Sequence, residues 1–159
     1  SRALRSHRLM HDATLALIVA CAALAIAIVR LSIVAIRADS NSPERLVAEL
    51  RLAQFGALVL AVTAGTYVGF ALAQAEISGS GLDIALTIGF IVLASYAQTQ
   101  EPATALTLVA AGFAGHAVVD LLHGASLLPS ESVPDWFTTA CALYDVAVAG
   151  VCYLPIVRR

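Results

Sequence analysis

The sequence predicts an all-α, polytopic transmembrane helix bundle of about five spans. Three observations carry that reading. Sixty per cent of the 159 residues are hydrophobic and 13% are charged, against about 45–50% apolar and about 25% charged in soluble domains. The mean hydropathy is +0.87. The apolar residues also gather into runs close to the roughly 20 residues that cross a bilayer. Inside lipid, backbone N–H and C=O groups must pair within their own segment, which favours helices. A transmembrane barrel would instead show alternating segments of about ten residues, and none is present.

The five spans are read at 14–36, 52–75, 82–97, 103–123 and 136–157, as one integral membrane domain. Arg30 alone interrupts the first. Gly79-Ser80-Gly81 opens the third, which is the shortest. Pro102 suits the first turn of the fourth, and Pro134 followed by Asp135 as N-cap opens the fifth. Between the first two spans, Ser42-Pro43-Glu44 reads as a turn opening a helix. The stripe of Leu46, Val47, Leu50 and Ala53 then lets the second helix begin early, at the interface. Residues 127–134 form a Ser/Pro-rich loop. Two small-residue groups, Gly65 with Gly69 on the second span and Ala111, Gly112 and Gly115 on the fourth, are expected at close helix contacts. Trp136, Tyr153 and Tyr96 fit interfacial anchors.

Charge and cysteine usage exclude several classes. The net charge is −2 and all nine basic residues are arginine, with no basic stripe for a phosphate backbone, so nucleic acid is not a partner. Cys21, Cys141 and Cys152 lie within apolar runs, which suits buried small hydrophobes rather than a disulfide framework. Arg2, Arg5 and Arg8 before an apolar run resemble a signal peptide, but the run is too long, so a retained first helix is expected. Five spans place the termini on opposite sides. Arg37, Arg45, Arg51, Arg158 and Arg159 against Arg2, Arg5 and Arg8 favour a cytoplasmic C-terminus.

Ionisable groups inside spans are costly and usually face a bundle interior. On the fourth helix His116, Asp120 and His123 follow i, i+4, i+7 spacing and share one face. On the fifth, Cys141 and Asp145 share a face, and Cys152 continues the stripe. Asp83 lies in the first turn of the third helix and Glu76 at the exit of the second. Antiparallel topology brings Asp83, Asp120, His123 and Asp145 toward one side of the membrane. His116, roughly 12 Å from the end of its helix, lies level with Asp145, roughly 14 Å into its own.

Two histidines and several carboxylates suit a divalent metal such as zinc, iron or manganese. The metal set would be His116, Asp120, His123 and Asp145, and the catalytic carboxylates Asp83, Asp120 and Asp145. A carboxylate off the metal would serve as base toward bound water, on a lipid or other apolar substrate. Without metal, like charges cannot all ionise in a dry site, and structural Asp–His pairing is the alternative. Both membrane histidines share one helix, which disfavours haem within one chain. His7 and His11, four apart in the polar tail, are expected to be solvated. Arg30 is expected to snorkel. A proton pathway is disfavoured, because the other halves of the fourth and fifth helices offer only Thr104, Thr107, Cys152 and Tyr153. The rival is a non-catalytic structural or assembly subunit of a larger membrane complex, with the bilayer and other subunits or a second copy as partners.

The segments Gly115-His116-Ala117-Val118-Val119-Asp120-Leu121-Leu122-His123 and Cys141-Ala142-Leu143-Tyr144-Asp145 resemble a family of small bacterial integral membrane proteins with no assigned activity. That family carries His-x-x-x-Asp-x-x-His, then Cys-Ala-x-x-Asp, with an acidic residue opening the preceding span, here Asp83. The resemblance covers Tyr67 to Tyr153 and leaves out the first helix. It departs at Val119, where the family has Trp, and at Gly124, where it has a second His. It implies a bacterial inner-membrane location and the same site, without a reaction. In residue types alone the set is also similar to membrane ceramide hydrolases, which hold zinc with His and Asp.

Overall fold

The computed structural model describes residues 2–73, 81–128, 133 and 135–158, with backbone alone for 2–13, 71, 73 and 135. Glu76, most of the 127–134 loop and the side chains of His7 and His11 lie outside the described residues. Five helices follow one another: α1 (Arg2–Arg37), α2 (Pro43–Ala73), α3 (Gly81–Ala97), α4 (Pro102–Gly124) and α5 (Asp135–Val157). Four of them hold stretches long and apolar enough to cross a membrane, Thr14–Arg37, Pro43–Phe70, Pro102–Gly124 and Trp136–Val157. α3 has 17 residues, about 26 Å at 1.5 Å per residue, a little short of the roughly 30 Å hydrocarbon layer.

The structure changes one sequence boundary and agrees with the expected early start of the second helix. α1 continues backward through the arginine-bearing tail as helix to Arg2. α2 does begin early, at Pro43, because Ser42 caps it: the Arg45 N–H donates to Ser42 Oγ at 3.3 Å. The preceding turn is closed by Asn41 N–H donating to Asp39 Oδ1 at 2.9 Å. The expected apolar stripe faces the bundle only in part: Ala53 is buried in the core and Leu50 is half-buried. Leu46 and Val47 are exposed, while Arg45, Glu49 and Leu52 turn inward.

Each helix runs antiparallel to the next, and α4 and α5 share the most extensive interface. α1 touches α2 and α5, α3 touches α2 and α4, and α2 touches all four neighbours. α2 is therefore the central post of the bundle. Its Leu52, Ala57, Val59 and Leu60 pack with Leu106, Val109 and Phe113 of α4 and with Val148 of α5. Gly56 and Gly112 permit this approach. A Cβ on Gly56 would stand 2.9 Å from Val109 Cγ1, and one on Gly112 would meet both Leu60 and Leu93. Gly65 and Gly69 have no described atom within 4 Å of such a Cβ, and Ala111 is exposed. Close packing thus falls on Gly56 and Gly112 rather than on the Gly65/Gly69 pair.

The far end of α5 shows how the bundle handles a proline inside a helix. Pro155 lacks the N–H that Val151 O would accept. Ser32 Oγ of α1 donates to that carbonyl instead, at 2.8 Å. Arg45 Nη2 donates to Pro155 O at 2.6 Å, one of the carbonyls that any helix C-terminus leaves without an intrahelical partner. Arg45 Nε is meanwhile held by Glu49 Oε1 at 2.8 Å. Three helices are stitched at one end by groups that answer two carbonyls of α5, one freed by the proline and one by the helix end.

Ser32→Ala should therefore lower stability by about 1 kcal/mol in a denaturation measured in detergent micelles. In a Pro155→Ala background the same substitution should cost little, because the restored N–H takes Val151 O. Equal costs in both backgrounds would refute the compensation.

Candidate functional site

The opposite end of the bundle collects the titratable side chains. Asp83 (α3), His116, Asp120 and His123 (α4), and Cys141 and Asp145 (α5) are all buried, with Asp120 and Asp145 wholly inaccessible. Helical periodicity sets the faces, and antiparallel packing of α4 on α5 brings them together. Gly124 lets α5 approach the end of α4: a Cβ there would lie 3.1 Å from Thr138 Oγ1. The chain then leaves α4 through Ser126, at φ 56°. Ser126 N–H donates to His123 O and Leu127 N–H to Leu122 O, both at 2.9 Å, the pattern that closes a helix with a left-handed residue.

Two groups emerge rather than one. In the deeper group His116 Nδ1 lies 2.6 Å from Asp145 Oδ2 and 3.4 Å from Asp120 Oδ2. Cys141 Sγ stands 4.0 Å from the same Asp145 oxygen. One ligand atom from each of His116, Asp120, Cys141 and Asp145 falls within 4.8 Å of the other three. The shallower group is a pair, His123 Nε2 with Asp83 Oδ1 at 2.9 Å. The other ring nitrogen, Nδ1, donates to Val119 O at 2.9 Å. A carbonyl only accepts, so Nδ1 carries a hydrogen. The 2.9 Å contact then needs a second proton, on His123 Nε2 or on Asp83.

This division alters the site read from the sequence. His116, Asp120 and Asp145 come together. His123 has both ring nitrogens engaged elsewhere and stands apart from the deeper group, in which Cys141 lies beside Asp145 instead. Asp83 joins His123 rather than the deeper carboxylates. Cys152, on the same helix stripe as Cys141, packs beside Gly56 and belongs to the apolar core.

Tyr67 of α2 joins the two groups and was not singled out from sequence. Its hydroxyl donates to Asp120 Oδ1 in a short hydrogen bond. Its ring centroid lies 5.0 Å from that of His123 and 5.9 Å from that of His116. Phe137 packs edge-on against the same ring, and Phe90 against His116. The only sequence signal for Tyr67 was a polar-tipped aromatic deep within an apolar span, which also describes an interfacial anchor. Thr87 Oγ1, donating to Ala64 O at 2.9 Å, ties α3 to α2 beside the pair.

Among the described residues, Asp120 Oδ2 and Asp145 Oδ1 are buried without a hydrogen-bond partner, as is the Tyr144 hydroxyl; the nearest cationic group to Asp120 Oδ2 is His116 Nδ1, at 3.4 Å. A lateral groove of about 210 Å³ runs between α1, α2 and α5 next to this group. Its walls include Leu17, Leu24, Val62, Phe137 and Ala140, and Cys141 and Tyr144 line it. Cys141 thus belongs both to the buried donor group and to the wall of an apolar groove that opens sideways, toward lipid.

No family model matches this chain, and no curated protein or solved structure matches it.

Tyr67→Phe keeps the ring against His123 and Phe137 but removes the donor to Asp120 Oδ1. Leaving that buried oxygen unanswered should cost about 1–3 kcal/mol. In an Asp120→Ala background the cost should largely vanish, as a double-mutant cycle in detergent would read. Additive costs would show that the bond contributes nothing.

Proposed function

We propose that this membrane protein holds one divalent metal ion in the buried group on α4 and α5, and that an apolar substrate bearing an acyl chain reaches it through the α1–α2–α5 groove. One observation carries the reading. Four donors of ligating type, an imidazole, two carboxylates and a thiol, converge within 4.8 Å, and two of their carboxylate oxygens have no hydrogen-bond partner among the described residues. Unanswered acceptors at such depth each cost about 1–3 kcal/mol, and several acids in one dry site repel one another. A bound dication removes both penalties.

The donor chemistry narrows the ion. Imidazole, carboxylate and thiol together suit zinc or iron better than manganese, which prefers oxygen ligands. Ligand bonds of about 2.0–2.3 Å are compatible with the present spacings after small side-chain adjustment. His116, Asp120 and Asp145 would be the three ligands. Catalytic zinc keeps a fourth position open, and the direction left for it is toward Cys141 and the groove. Asp83 and His123, held by each other, would position Tyr67 and through it Asp120. Metal-activated hydrolysis of a lipid ester or amide is the reaction class that such a site serves.

A second reading, a non-catalytic subunit of a larger complex, is supported by α1. Leu15, Ile18, Val19 and Ile26 all face outward, free for lipid or for another chain. The short His116–Asp145 contact also suits a charge-assisted hydrogen bond with no metal present.

Metal analysis of the detergent-purified protein separates these readings. The wild type should carry about one equivalent of zinc or iron, and His116→Ala or Asp145→Asn should weaken retention at least about tenfold. His123→Ala should retain the metal, because its nitrogens serve Asp83 and Val119. Negligible metal in the wild type, or equal content in all variants, would overturn the proposal.

A further inference from the structure

The end of the bundle remote from this group carries a different kind of charge. Arg30 of α1 and Arg51 of α2 are both exposed, and both line a second lateral groove, of about 810 Å³, between those helices. Its remaining walls are largely apolar, among them Ala23, Ile26, Val34 and Val47. Among the described residues neither guanidinium has an acidic partner. Glu49, two residues before Arg51, is turned inward onto Arg45. Arg37 lies two turns beyond Arg30 and lines the adjoining side of α1. The single acid in the groove is Glu44, in the first turn of α2, two turns toward water from Arg51.

Depth decides what these arginines meet. The candidate span of α2 is 28 residues long, about 42 Å, and exceeds the roughly 30 Å hydrocarbon layer. The surplus lies at the Pro43 end. Gly56 packs on Val109 and Cys152, which stand about 11 Å and about 8 Å from the adjacent ends of α4 and α5, whereas Gly56 is about 20 Å from Pro43. Arg51 therefore lies level with the ends of α4 and α5, where hydrocarbon gives way to headgroups. Arg30, about 11 Å from the end of α1, reaches the same groove with its long side chain. An unpaired guanidinium facing hydrocarbon is costly, and at this level lipid phosphate is the available counter-charge.

We propose that the α1–α2 groove is a binding site for an anionic phospholipid, with the headgroup phosphate between Arg30 and Arg51 and an acyl chain along Ala23, Ile26 and Ala27. The planar fork of arginine matches paired phosphate oxygens. Arg30 and Arg51 against Glu44 leave the groove net positive, so a lipid without its own ammonium is preferred. The site is independent of the metal reading, since it shares no residue with the buried group at the other end.

The test uses the full chain, delipidated and titrated with phosphatidylglycerol or phosphatidylcholine under native mass spectrometry. The wild type should bind phosphatidylglycerol at least about fivefold more tightly than phosphatidylcholine. Arg30→Gln with Arg51→Gln should weaken phosphatidylglycerol binding about 25-fold, about fivefold for each charge lost near the membrane surface. Arg158→Gln should change it less than about twofold. If the double variant does not fold, as read by helicity and thermal unfolding, the two single variants carry the same test at about fivefold each. Equal affinity for the two lipids, unchanged binding in the arginine variants, or binding of glycerol 3-phosphate as tight as that of the lipid would each overturn the proposal.

Discussion

Asp120 and Asp145 are enclosed where neither water nor lipid can solvate them, so the packing of α4 on α5 has to supply their partners. That constraint organises this end of the molecule. His116 sits between the two carboxylates, Tyr67 reaches across from α2 to Asp120, and Asp83 with His123 closes the outer side. The aromatic rings of Tyr67 and Phe90 pack against the imidazoles, and Phe137 backs the Tyr67 ring. Helix packing in lipid lacks a hydrophobic drive between apolar faces, so contacts of this kind carry much of the specificity with which α2, α3, α4 and α5 find one another.

The other end obeys the same rule around two backbone carbonyls of α5. Pro155 removes one backbone donor, and Ser32 replaces it from a different helix. The C-terminal carbonyls of α5 would be left bare, and Arg45 answers one of them while Glu49 answers Arg45. Between the two polar ends lies a core of Leu, Val, Ala and Phe in which Gly56 and Gly112 permit the close helix approaches. The bundle is thus an apolar centre with a polar clasp at each end. One clasp is fully spent on packing. The other leaves two carboxylate oxygens and a tyrosine hydroxyl without a hydrogen-bond partner among the described residues, and that surplus is what distinguishes a candidate site from a structural contact.

Much of the architecture was legible in the chain. Long apolar runs between turn residues locate helices because lipid tolerates no unpaired backbone, and Pro43, Pro102 and the residues around Pro134 mark where they start. The i, i+4 relation of His116 to Asp120 and of Cys141 to Asp145 was also legible, since a 3.6-residue period assigns faces without knowledge of neighbours. Antiparallel succession then placed those faces at one side of the membrane. The inward turn of Arg45 and Glu49 was not legible. Apolar Leu46 and Val47 satisfy a helical stripe equally well, and in a membrane the outward face is as apolar as the inward one.

Sequence alone therefore determined the class of the molecule, the positions of its helices and the depth at which its rare titratable groups lie. All three follow from hydropathy, chain direction and helical period, which are properties of single segments. The tertiary structure decided which of those groups touch. It separated His123 and Asp83 from His116, Asp120 and Asp145, brought in Cys141 and Tyr67, and opened a groove beside Cys141. Those outcomes depend on how far each helix is rotated and how closely it approaches its neighbours, and they are set by contacts such as Gly56 on Val109 and Ser32 on Val151 that join residues far apart in the chain.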